Sequence, residues 1–533
     1  MIFKSPYADV DIPDVSLPHF IMERLAAYGD KPALIDGPTG RTITYAQLRA
    51  AIRRVASGLY QRGLRKGDVF AIYSPNLPEY VVAFHAVLLA GGVLTTLNPL
   101  YTVDEVVNQL NDCGAKYLLT ISKFLDNARA AATRSTVREI YTFDPVEGAT
   151  PFAALMEGNG MATEADIIPS VDVAVLPYSS GTTGISKGVM LTHRNLVANQ
   201  VQSDGLTGVD IVSSVDRIIG VLPFYHIYGM GVIVTGSLVH GATIVTLPRF
   251  DLEQFLATIQ QYKITRINVV PPMLVALAKH PLVSKYDLSS LVELTSGAAP
   301  LSAELAQAVR SRLGCRVLQG FGMTETSPVT HFYDSNRASP EKLGSVGPLY
   351  PNTEAMIVDT ATGQSLGVGG RGELWIRGPQ VMKGYLNNQV ATAATLDGDG
   401  WLHTGDVGYV DEQGFFFIVD RVKELIKYNA YQVAPAELEA LLLQHPAVAD
   451  VAVIGSPDDA AGEVPKAFVV RKGEVTADEL MDWVAERVSP TKKIRRVEFI
   501  DAIPKSAAGK LLRRVLVERE RARLRAEKEK DEE

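Results

Sequence analysis

The sequence predicts an α/β fold: a large N-terminal body of several subdomains, built from wound α/β sheets and a small β-rich subdomain, followed by a small, mobile α+β C-terminal domain. Three observations support this prediction. Short apolar runs alternate with helical patterns over most of the chain. After Gly372 the pattern changes to short β-rich runs. A charged stretch at 420–427 then precedes a compact pattern of one helix and two strands.

The body is predicted from the alternation itself. Apolar runs such as 69–73 have the length of buried strands, and stretches such as 45–64 repeat apolar residues at helical spacing. Two longer apolar stretches, 81–97 and 229–247, approach membrane-spanning length, but each contains a histidine and at least two glycines. We therefore predict buried strands and helices there, and no membrane-spanning segment.

The C-terminal part is predicted from one helix signal and two strand signals. Pro435 followed by AELEALLLQH indicates a helix with proline in its first turn, and 451–454 and 467–470 have strand patterns. Residues 515–533 hold six basic and seven acidic side chains, which is typical of a solvated helix or a frayed tail. The predicted domains are the body at 1–419, the cap at 420–515 and a charged tail at 516–533.

Composition indicates the class of protein. With 533 residues, 47% of them hydrophobic and 21% charged, the chain can bury a large core in several domains. Its net charge of −8 disfavours nucleic acid as a partner. Cys113 and Cys315 lie at neither disulfide-framework nor zinc-ligand spacing, and the N-terminus has no secretory pattern. We expect a cytoplasmic protein; monomer and homodimer are both compatible with the sequence.

The strongest local motif is YSSGTTGISKG at 178–188, which lies between two apolar runs. Its glycines, hydroxyls and single lysine supply free backbone N–H groups, hydroxyl donors and a positive charge, which suit a polyphosphate. It differs from the P-loop of NTPases because Lys187 leads into a predicted strand instead of a helix. We predict a phosphate-binding loop; the alternative is a flexible surface loop.

By contrast, the GxGxxG pattern at 367–372 precedes a strand pattern and is predicted as a turn.

Five further motifs follow the phosphate loop along the chain. They are QGFGMTETSP at 319–328, GYL at 384–386, WLHTGD at 401–406, DRVKELIK at 420–427 and PKSAAGK at 504–510. In this order and spacing they resemble the acyl-adenylate-forming superfamily, which includes acyl-CoA synthetases, peptide-synthetase adenylation domains and beetle luciferases. Within it, LPFYHIYG at 222–229 and YQVAPAELE at 431–439 are most similar to the 4-coumarate:CoA ligases and their bacterial relatives.

The resemblance implies an ATP-dependent carboxylate:CoA ligase that forms an acyl-AMP intermediate and then an acyl-CoA thioester, with ATP, Mg²⁺ and coenzyme A as cofactors. It implies that Lys510 is the catalytic lysine of the first step, that Lys427 serves the second, and that Asp420 is the hinge. Glu325 would hold Mg²⁺ beside Thr324 at the α-phosphate. Lys510, Lys427 and Thr324 would also bind nucleotide or CoA, together with Ser179, Ser180, Gly181, Thr182, Thr183, Gly184, Lys187, Gly297, Ala298, Gln319, Gly320, Phe321, Gly322, Met323, Asp406, Arg421 and Gln432.

The acyl pocket implied by the resemblance is apolar and has few polar anchors. Ile227 stands where amino-acid-activating relatives have an aspartate, which disfavours amino acids as substrates, and Thr295 stands where many plant hydroxycinnamate ligases have a lysine. The implied pocket residues are Tyr225, Thr295, Ala298, Gly322, Pro328 and Val329, with His226 as a catalytic gate towards CoA.

The predicted substrate is a small carboxylic acid, 4-coumarate or a related aryl acid. The alternatives are a medium- or long-chain fatty acid, a luciferase-like oxidation of the adenylate, and a nucleotide-binding pseudoenzyme. In one place the chain departs from the family, because Asn429-Ala430 replaces a Lys-Gly pair. Glycine allows the closest approach of a ligand to the backbone, so the methyl group of Ala430 is expected to narrow the path of the CoA thiol.

Overall fold

The structure, a computed structural model, describes residues 1–160, 165–179, 186–207, 209–333, 342–428, 431–458, 461–505 and 511–531. The chain divides into two compact units. The larger unit comprises Ile2–Ala355 and Ile376–His403, and the smaller comprises Met356–Trp375 and Thr404–Glu533 together with Met1. The boundary predicted at residue 420 falls inside the smaller unit, so a separate cap at 420–515 stays a prediction.

The helices start at signals that the sequence contains. Capping boxes begin four of them, at Thr44, Thr102, Thr192 and Thr476, and a proline in the first turn begins four others. A π-helix, Tyr228–Gly236, runs directly into α7. The helices of the described residues are α1 Leu17–Leu25, α2 Tyr45–Gln61, α3 Pro78–Leu89, α4 Val103–Cys113, α5 Leu125–Ala132, α6 His193–Asp204, α7 Ser237–Val239, α8 Leu252–Tyr262, α9 Pro271–Lys279, α10 Ala303–Leu313, α11 Gln389–Thr395, α12 Pro435–Leu442, α13 Ala477–Ala485 and α14 Arg513–Asp531.

The strands of the described residues form four sheets. They are β1 Phe3–Lys4, β2 Pro32–Asp36, β3 Thr42–Thr44, β4 Val69–Tyr73, β5 Val93–Leu97, β6 Ala115–Thr120, β7 Glu139–Thr142, β8 Thr150–Pro151, β9 Val173–Leu176, β10 Tyr178–Ser179, β11 Lys187–Thr192, β12 Arg217–Gly220, β13 Thr243–Thr246, β14 Arg266–Val269, β15 Glu293–Ser296, β16 Arg316–Gly322, β17 Val329–Phe332, β18 Glu354–Val358, β19 Ser365–Leu366, β20 Gly372–Arg377, β21 Gly384–Tyr385, β22 Leu402–Val410, β23 Phe416–Arg421, β24 Ile426–Tyr428, β25 Tyr431–Val433, β26 Val448–Asp458, β27 Gly462–Arg471 and β28 Arg496–Phe499.

Two large sheets make up the larger unit, and both have parallel centres. One has the order β10-β11-β9-β5-β4-β6-β7-β8, with β21 beside β11, and its strands β9, β5, β4, β6, β7 and β8 pair in parallel. The other has the order β17-β16-β15-β14-β12-β13-β2-β3 and is parallel from β16 to β2. Helices connect the parallel strands, so the predicted wound α/β sheets are confirmed.

The smaller unit contains an antiparallel sheet region and an α+β region. The β-rich runs after Gly372 are β20, β22 and β23, which are neighbours in one sheet with β18. Further along, β25-β24-β27-β26 form a second sheet, with β28 on β27. Its apolar core includes Leu438 of α12, Leu480 of α13 and Val453 of β26, all fully buried. The small α+β pattern that the sequence predicts is confirmed.

The terminal helix α14 differs from the solvated helix that the sequence predicts. Leu516 is buried in a cluster with Ile454 and Phe468, and the Glu520 carboxylate is buried in an ion pair with Lys466. Leu516 lies in a short apolar run with Val515 and Val517, but most of the residues that follow are charged, so the apolar spacing that marks a packed helix face does not continue along the helix. The first turns of α14 therefore belong to the core of the smaller unit.

The described part of the chain has no helix whose length and hydropathy would let it cross a bilayer. The two apolar stretches at 81–97 and 229–247 fold instead as α3 with β5, and as the π-helix with α7 and β13. Almost every side chain of α3 and β5 is buried, which accounts for their continuous apolar sequence.

Candidate active site

The predicted adenine slot and acyl pocket lie at one edge of the eight-stranded sheet. The parallel strands β12, β15 and β16 all have their carboxyl ends at this edge, which is where open α/β sheets bind ligands. Tyr225 and His226 follow β12, and Gly297 and Ala298 follow β15. The last four residues of β16 are Gln319, Gly320, Phe321 and Gly322.

The predicted phosphate loop is closed by a hairpin. Ser179 of β10 pairs with Lys187 of β11 in antiparallel register, so the two ends of the loop are neighbours. Lys187 begins a strand, as predicted, which agrees with the distinction from the NTPase P-loop. Ser180, Gly181, Thr182, Thr183 and Gly184 lie outside the described residues.

Glu325 is the buried carboxylate of this site. Its Oε1 accepts hydrogen bonds from Ser179 Oγ at 3.0 Å and from the Tyr385 hydroxyl at 2.9 Å. Lys187 Nζ lies 4.9 Å from the centre of the Tyr385 ring. The structure therefore brings Ser179, Lys187 and Glu325 together around Tyr385, a residue of the GYL motif to which sequence analysis assigned no role.

The residues predicted for the adenine slot are held by backbone contacts. The Gln319 side chain accepts a hydrogen bond from the Leu301 N–H at 2.7 Å and donates to the carbonyl of Ser345 at 3.2 Å, so its amide fixes neighbouring main chain. A Cβ at Gly322 would lie 2.1 Å from the Pro328 carbonyl oxygen, so only glycine fits there. Ala298 adopts φ +68°, in the left-handed region. Thr324 is buried beside Glu325, and Met323 precedes it.

The residues predicted for the acyl pocket are connected through a tyrosine that sequence analysis missed. The Tyr228 hydroxyl donates to the Thr295 carbonyl at 3.0 Å, and its backbone N–H donates to His226 Nδ1 at 3.3 Å. Burial raises the pKa of Tyr225 to about 12. Val329 is held by the side chain of Asn199, which contacts both its N–H and its carbonyl. Tyr228 could have been found because it lies in the LPFYHIYG segment.

The smaller unit positions the predicted ribose ligand. Asp406 of β22 is buried and faces Arg421 of β23 in the same register, with Arg421 Nε 3.2 Å from Asp406 Oδ1. Asp420, the predicted hinge, is buried next to Arg421. Its carboxylate accepts from the Arg421 N–H at 2.8 Å and from the Ala436 N–H at 2.9 Å. Burial raises the pKa of Asp420 above its ordinary value.

The two predicted lysines of the smaller unit differ in how far the structure describes them. Lys427 is exposed on β24, and its backbone N–H donates to Glu463 Oε2 at 2.9 Å. Its register partner is Gln432, whose side chain lies outside the described residues. Lys510 and Asn429-Ala430 also lie outside them. Lys510 immediately precedes Leu511, which forms a bridge with Lys505.

Arg513, three residues after Lys510, forms a buried ion cluster that sequence analysis missed. Its Nη2 lies 2.6 Å from Glu439 Oε2, and its Nη1 contacts Glu424 and lies 3.9 Å from Asp420 Oδ1. Arg513 thus connects the start of α14 to the predicted hinge and to α12. In the sequence, Arg513 is one arginine among many charged residues, so nothing local marks it as the centre of a buried ion cluster.

Comparison with known proteins decides the family. Residues 21–386 match the family model of the AMP-binding enzyme, and residues 437–510 match that of the AMP-binding enzyme C-terminal domain. The chain belongs to the AMP-binding enzyme family. The predicted resemblance to adenylate-forming enzymes is confirmed. In this AMP-binding enzyme the first match ends with the GYL motif, and the second ends at Lys510.

Relatives of this AMP-binding enzyme include several plant ligases. It is 44% identical over 523 residues to 4-coumarate–CoA ligase 1 of Petroselinum crispum, covering 97% of this chain and 96% of the relative. It is also 44% identical over 526 residues to 4-coumarate–CoA ligase 3 of Arabidopsis thaliana, covering 97% and 93%. Among solved structures, ATP-bound MatB from Rhodopseudomonas palustris superimposes with a TM-score of 0.86 at 30% identity, over 95% of this chain and 99% of that one.

Proposed function

We propose that this AMP-binding enzyme is an AMP-forming acid–thiol ligase that joins 4-coumarate, or a related hydroxycinnamic acid, to coenzyme A. The observation that carries the proposal is the 44% identity with 4-coumarate–CoA ligases over 97% of the chain. The cluster of Ser179, Lys187 and the buried Glu325 supports it, since it combines hydroxyl, ammonium and carboxylate in the way that a metal–nucleotide complex requires.

In the first step, a carboxylate oxygen of the acid attacks the α-phosphorus of ATP, the bond to the bridging oxygen breaks, and pyrophosphate leaves. Little covalent help is possible in such an in-line displacement, so the protein supplies position and positive charge. Lys187 and the hydroxyls from Ser179 to Thr183 would hold the β- and γ-phosphates. Thr324 would contact the α-phosphate, and Lys510 would neutralise charge on the reacting oxygens.

Glu325 would be the protein ligand of Mg²⁺. Magnesium is usually held by one or two carboxylates together with substrate phosphate oxygens and water. Glu325 fits this pattern, because its buried carboxylate lies within hydrogen-bond distance of Ser179 at the predicted phosphate loop. When bound, the ion would neutralise charge on the phosphate oxygens.

The nucleoside would be held by one carboxylate at its ribose and by backbone at its adenine. Asp406 would accept hydrogen bonds from the ribose hydroxyls, with Arg421 holding its carboxylate in place at 3.2 Å. The adenine would lie against the backbone of Gly297, Ala298 and Gln319–Gly322, with Gln432 as a further contact.

In the second step, the CoA thiol sulfur attacks the acyl carbonyl carbon, the thiol gives up its proton, and AMP leaves. We assign the gate between the acyl pocket and the CoA path to His226, and the face that serves this step to the segment around Lys427. Asp420 would be the hinge about which residues 420–515 turn between the steps. Its buried carboxylate accepts from the N–H groups of Arg421 and Ala436, so it holds the first residues of the turning segment to α12.

A second candidate substrate class is favoured by one observation. Thr295 replaces the lysine of many plant hydroxycinnamate ligases, and its hydroxyl donates to Glu293 at 3.3 Å. A buried hydroxyl of the substrate needs a polar partner, because an unpaired polar group in an apolar pocket loses affinity. Because the Thr295 hydroxyl already bonds to Glu293, it is not free to pair with a hydroxyl of the substrate. A medium- or long-chain aliphatic acid, which has no such hydroxyl, is therefore the alternative substrate.

A cytoplasmic location is part of the proposal. The two cysteines, Cys113 and Cys315, are free and buried, which fits a reducing compartment.

A substrate panel tests the proposed function. CoA-thioester yield is measured with 4-coumarate, cinnamate, octanoate and palmitate, and acid-dependent exchange of pyrophosphate into ATP reports the first step alone. We expect 4-coumarate to give the highest yield; a preference for octanoate or palmitate would select the second candidate. Exchange should fall about 10²- to 10³-fold in Lys510→Ala and stay unchanged in Lys492→Ala, whose ammonium pairs with Glu437.

A further inference from the structure

Tyr385 lies between the two charged groups of the proposed phosphate and metal site. One end of its side chain, the hydroxyl, donates to Glu325 Oε1 at 2.9 Å, while the ring face lies 4.9 Å from Lys187 Nζ. We infer that Tyr385 is a positioning residue that keeps Lys187 apart from Glu325 and orients the Glu325 carboxylate, so that both charges stay available for a metal–nucleotide complex. The inference rests on the proposed function.

The position of Tyr385 is determined by backbone bonds on both sides. β21 pairs with β11, with Tyr385 opposite Val189, so Tyr385 is tied to the strand that begins at Lys187. Three residues earlier, the Met382 N–H donates to the main-chain carbonyl of Glu325 at 2.8 Å. The segment 382–385 therefore contacts the backbone of both charged regions, and the Tyr385 side chain cannot shift far from either.

A tyrosine suits this place because it interacts with both charges without carrying one. A lysine and a glutamate that met directly would form an ion pair and satisfy each other. No ion pair joins Lys187 to Glu325 in the part of the chain that the structure describes. The π face of the ring attracts an ammonium group, and the hydroxyl donates to a carboxylate, so Tyr385 holds each group separately.

The hydrogen bonds also leave one carboxylate oxygen of Glu325 available. Ser179 and Tyr385 both donate to Oε1, and no hydrogen bond from the described residues reaches Oε2. The two hydrogen bonds to Oε1 hold the Glu325 carboxylate in an orientation that leaves Oε2 available to a cation. Partners of metal ligands typically change metal affinity 10- to 100-fold when removed.

Metal and nucleotide affinities of the full chain test the inference. The probes are Mn²⁺, measured as free ion by electron paramagnetic resonance, and α,β-methylene-ATP, which cannot be cleaved at the reacting bond. Tyr385→Phe keeps the ring and loses the hydroxyl, so we expect its apparent Kd for Mn²⁺ to rise about tenfold while its Kd for the metal-free nucleotide stays within about twofold. Tyr385→Leu also loses the ring, so we expect its nucleotide Kd to rise about threefold as well.

The matched control is another tyrosine that donates to a glutamate. The Tyr141 hydroxyl donates to Glu139 Oε2 at 2.6 Å on β7, so Tyr141→Phe removes an equivalent bond outside the site. Its Mn²⁺ affinity should equal that of the wild type. An equal loss in Tyr141→Phe and Tyr385→Phe would overturn the inference, because it would indicate a general effect on stability.

Glu325→Gln distinguishes this inference from the proposed function. If Glu325→Gln weakens Mn²⁺ binding and Tyr385→Phe does not, the inference fails while the proposed function stands. If Glu325→Gln binds Mn²⁺ as the wild type does, the proposed metal site fails, and the inference with it. We expect the effect of Tyr385→Phe to fall well below tenfold in the Glu325→Gln background, since it acts through that carboxylate.

Discussion

At the scale of single residues, the site depends on side chains that hold backbone as much as on groups that would touch ligand. Gln319 belongs to a motif whose resemblance implies an adenine contact, yet its amide is committed to the main chain of Leu301, Gly344 and Ser345. Such a buried side-chain amide is costly to lose, because its removal leaves backbone groups unsatisfied. A motif residue can therefore be essential to a site through the loop that it holds.

Gly322 provides the sharpest residue-scale prediction. A Cβ at this position would lie 2.1 Å from the Pro328 carbonyl oxygen, which is backbone and cannot rotate away. We expect Gly322→Ala to lower the free energy of unfolding by about 1–3 kcal/mol and to abolish pyrophosphate exchange.

Gly367 is the matched control for Gly322, because nothing lies within 4 Å of a Cβ built on it. Gly367→Ala should change the free energy of unfolding by less than about 0.5 kcal/mol and leave exchange intact. Chemical denaturation and the exchange assay check both variants. Full exchange in Gly322→Ala would show that the segment 322–328 can shift without loss of the site.

At the scale of elements, the sequence predicted more of the framework than of the contacts between its parts. Strands and helices of the body could be predicted because apolar spacing and capping residues are local signals. Roles for Lys187 and Glu325 could be proposed from their motifs. Their contact with Tyr385 could not, since it depends on the pairing of β21 with β11, which are almost 200 residues apart. Likewise, the three acids around Arg513 come from separate elements, so no local pattern reveals the cluster.

The Arg513 cluster gives the element-scale prediction. Arg513 is the cation that faces Asp420, Glu424 and Glu439, and breaking a buried pair leaves uncompensated charge. We expect Arg513→Met to lower the free energy of unfolding of the smaller unit by about 3–5 kcal/mol. The neighbouring Arg514 pairs with Glu518 at 3.4 Å with both side chains exposed, so Arg514→Met should cost less than about 1 kcal/mol.

The cost of Arg513→Met should depend on pH. Burial raises the pKa of Asp420 and of Glu439 in the folded chain, and the Arg513 charge opposes that rise. Without Arg513 the two carboxyls take up protons more readily when folded. Stability gained in this way is present at low pH and is lost as the pH rises through the raised pKa values. Denaturation at pH 5 and pH 8 checks this: the deficit should be larger at pH 8, and an equal deficit would contradict it.

At the scale of the whole molecule, three buried histidines make the larger unit sensitive to acid. Burial lowers the pKa of His85 to about 3, of His193 to about 4 and of His331 to about 3. Unfolded, each would titrate near the ordinary value of about 6.5. As the pH falls, each histidine takes up a proton in the unfolded chain before it does so in the folded chain. The stability that these neutral histidines contribute is therefore complete above about pH 6.5 and is lost as the pH falls towards about 4.

Substitution of His85 tests this dependence. Neither of its ring nitrogens has a hydrogen-bond partner among the described residues. We expect His85→Leu to raise the denaturation midpoint more at pH 5.5 than at pH 7.5, since it removes one proton that the unfolded chain would bind, worth about 1.4 kcal/mol per pH unit at most. The same change in midpoint at both values would indicate that only packing had improved.

The balance between the two proposed reaction steps also belongs to the whole molecule. Both steps would use the predicted acyl and nucleotide sites, but each would use a different part of the smaller unit. Asn429-Ala430 separates the paired residues Tyr428 and Tyr431 and follows Lys427 on the face assigned to thioester formation. Glycine at 430 would open the thiol path by one methyl group, an effect worth about tenfold in a close-fitting site. We expect Ala430→Gly to raise thioester formation from a preformed adenylate about tenfold and to leave pyrophosphate exchange unchanged.

Asn429→Lys alone, which adds charge without opening space, is the matched control and should change the ratio of the two rates less. If neither variant alters that ratio, the pair at 429–430 does not limit access of the thiol.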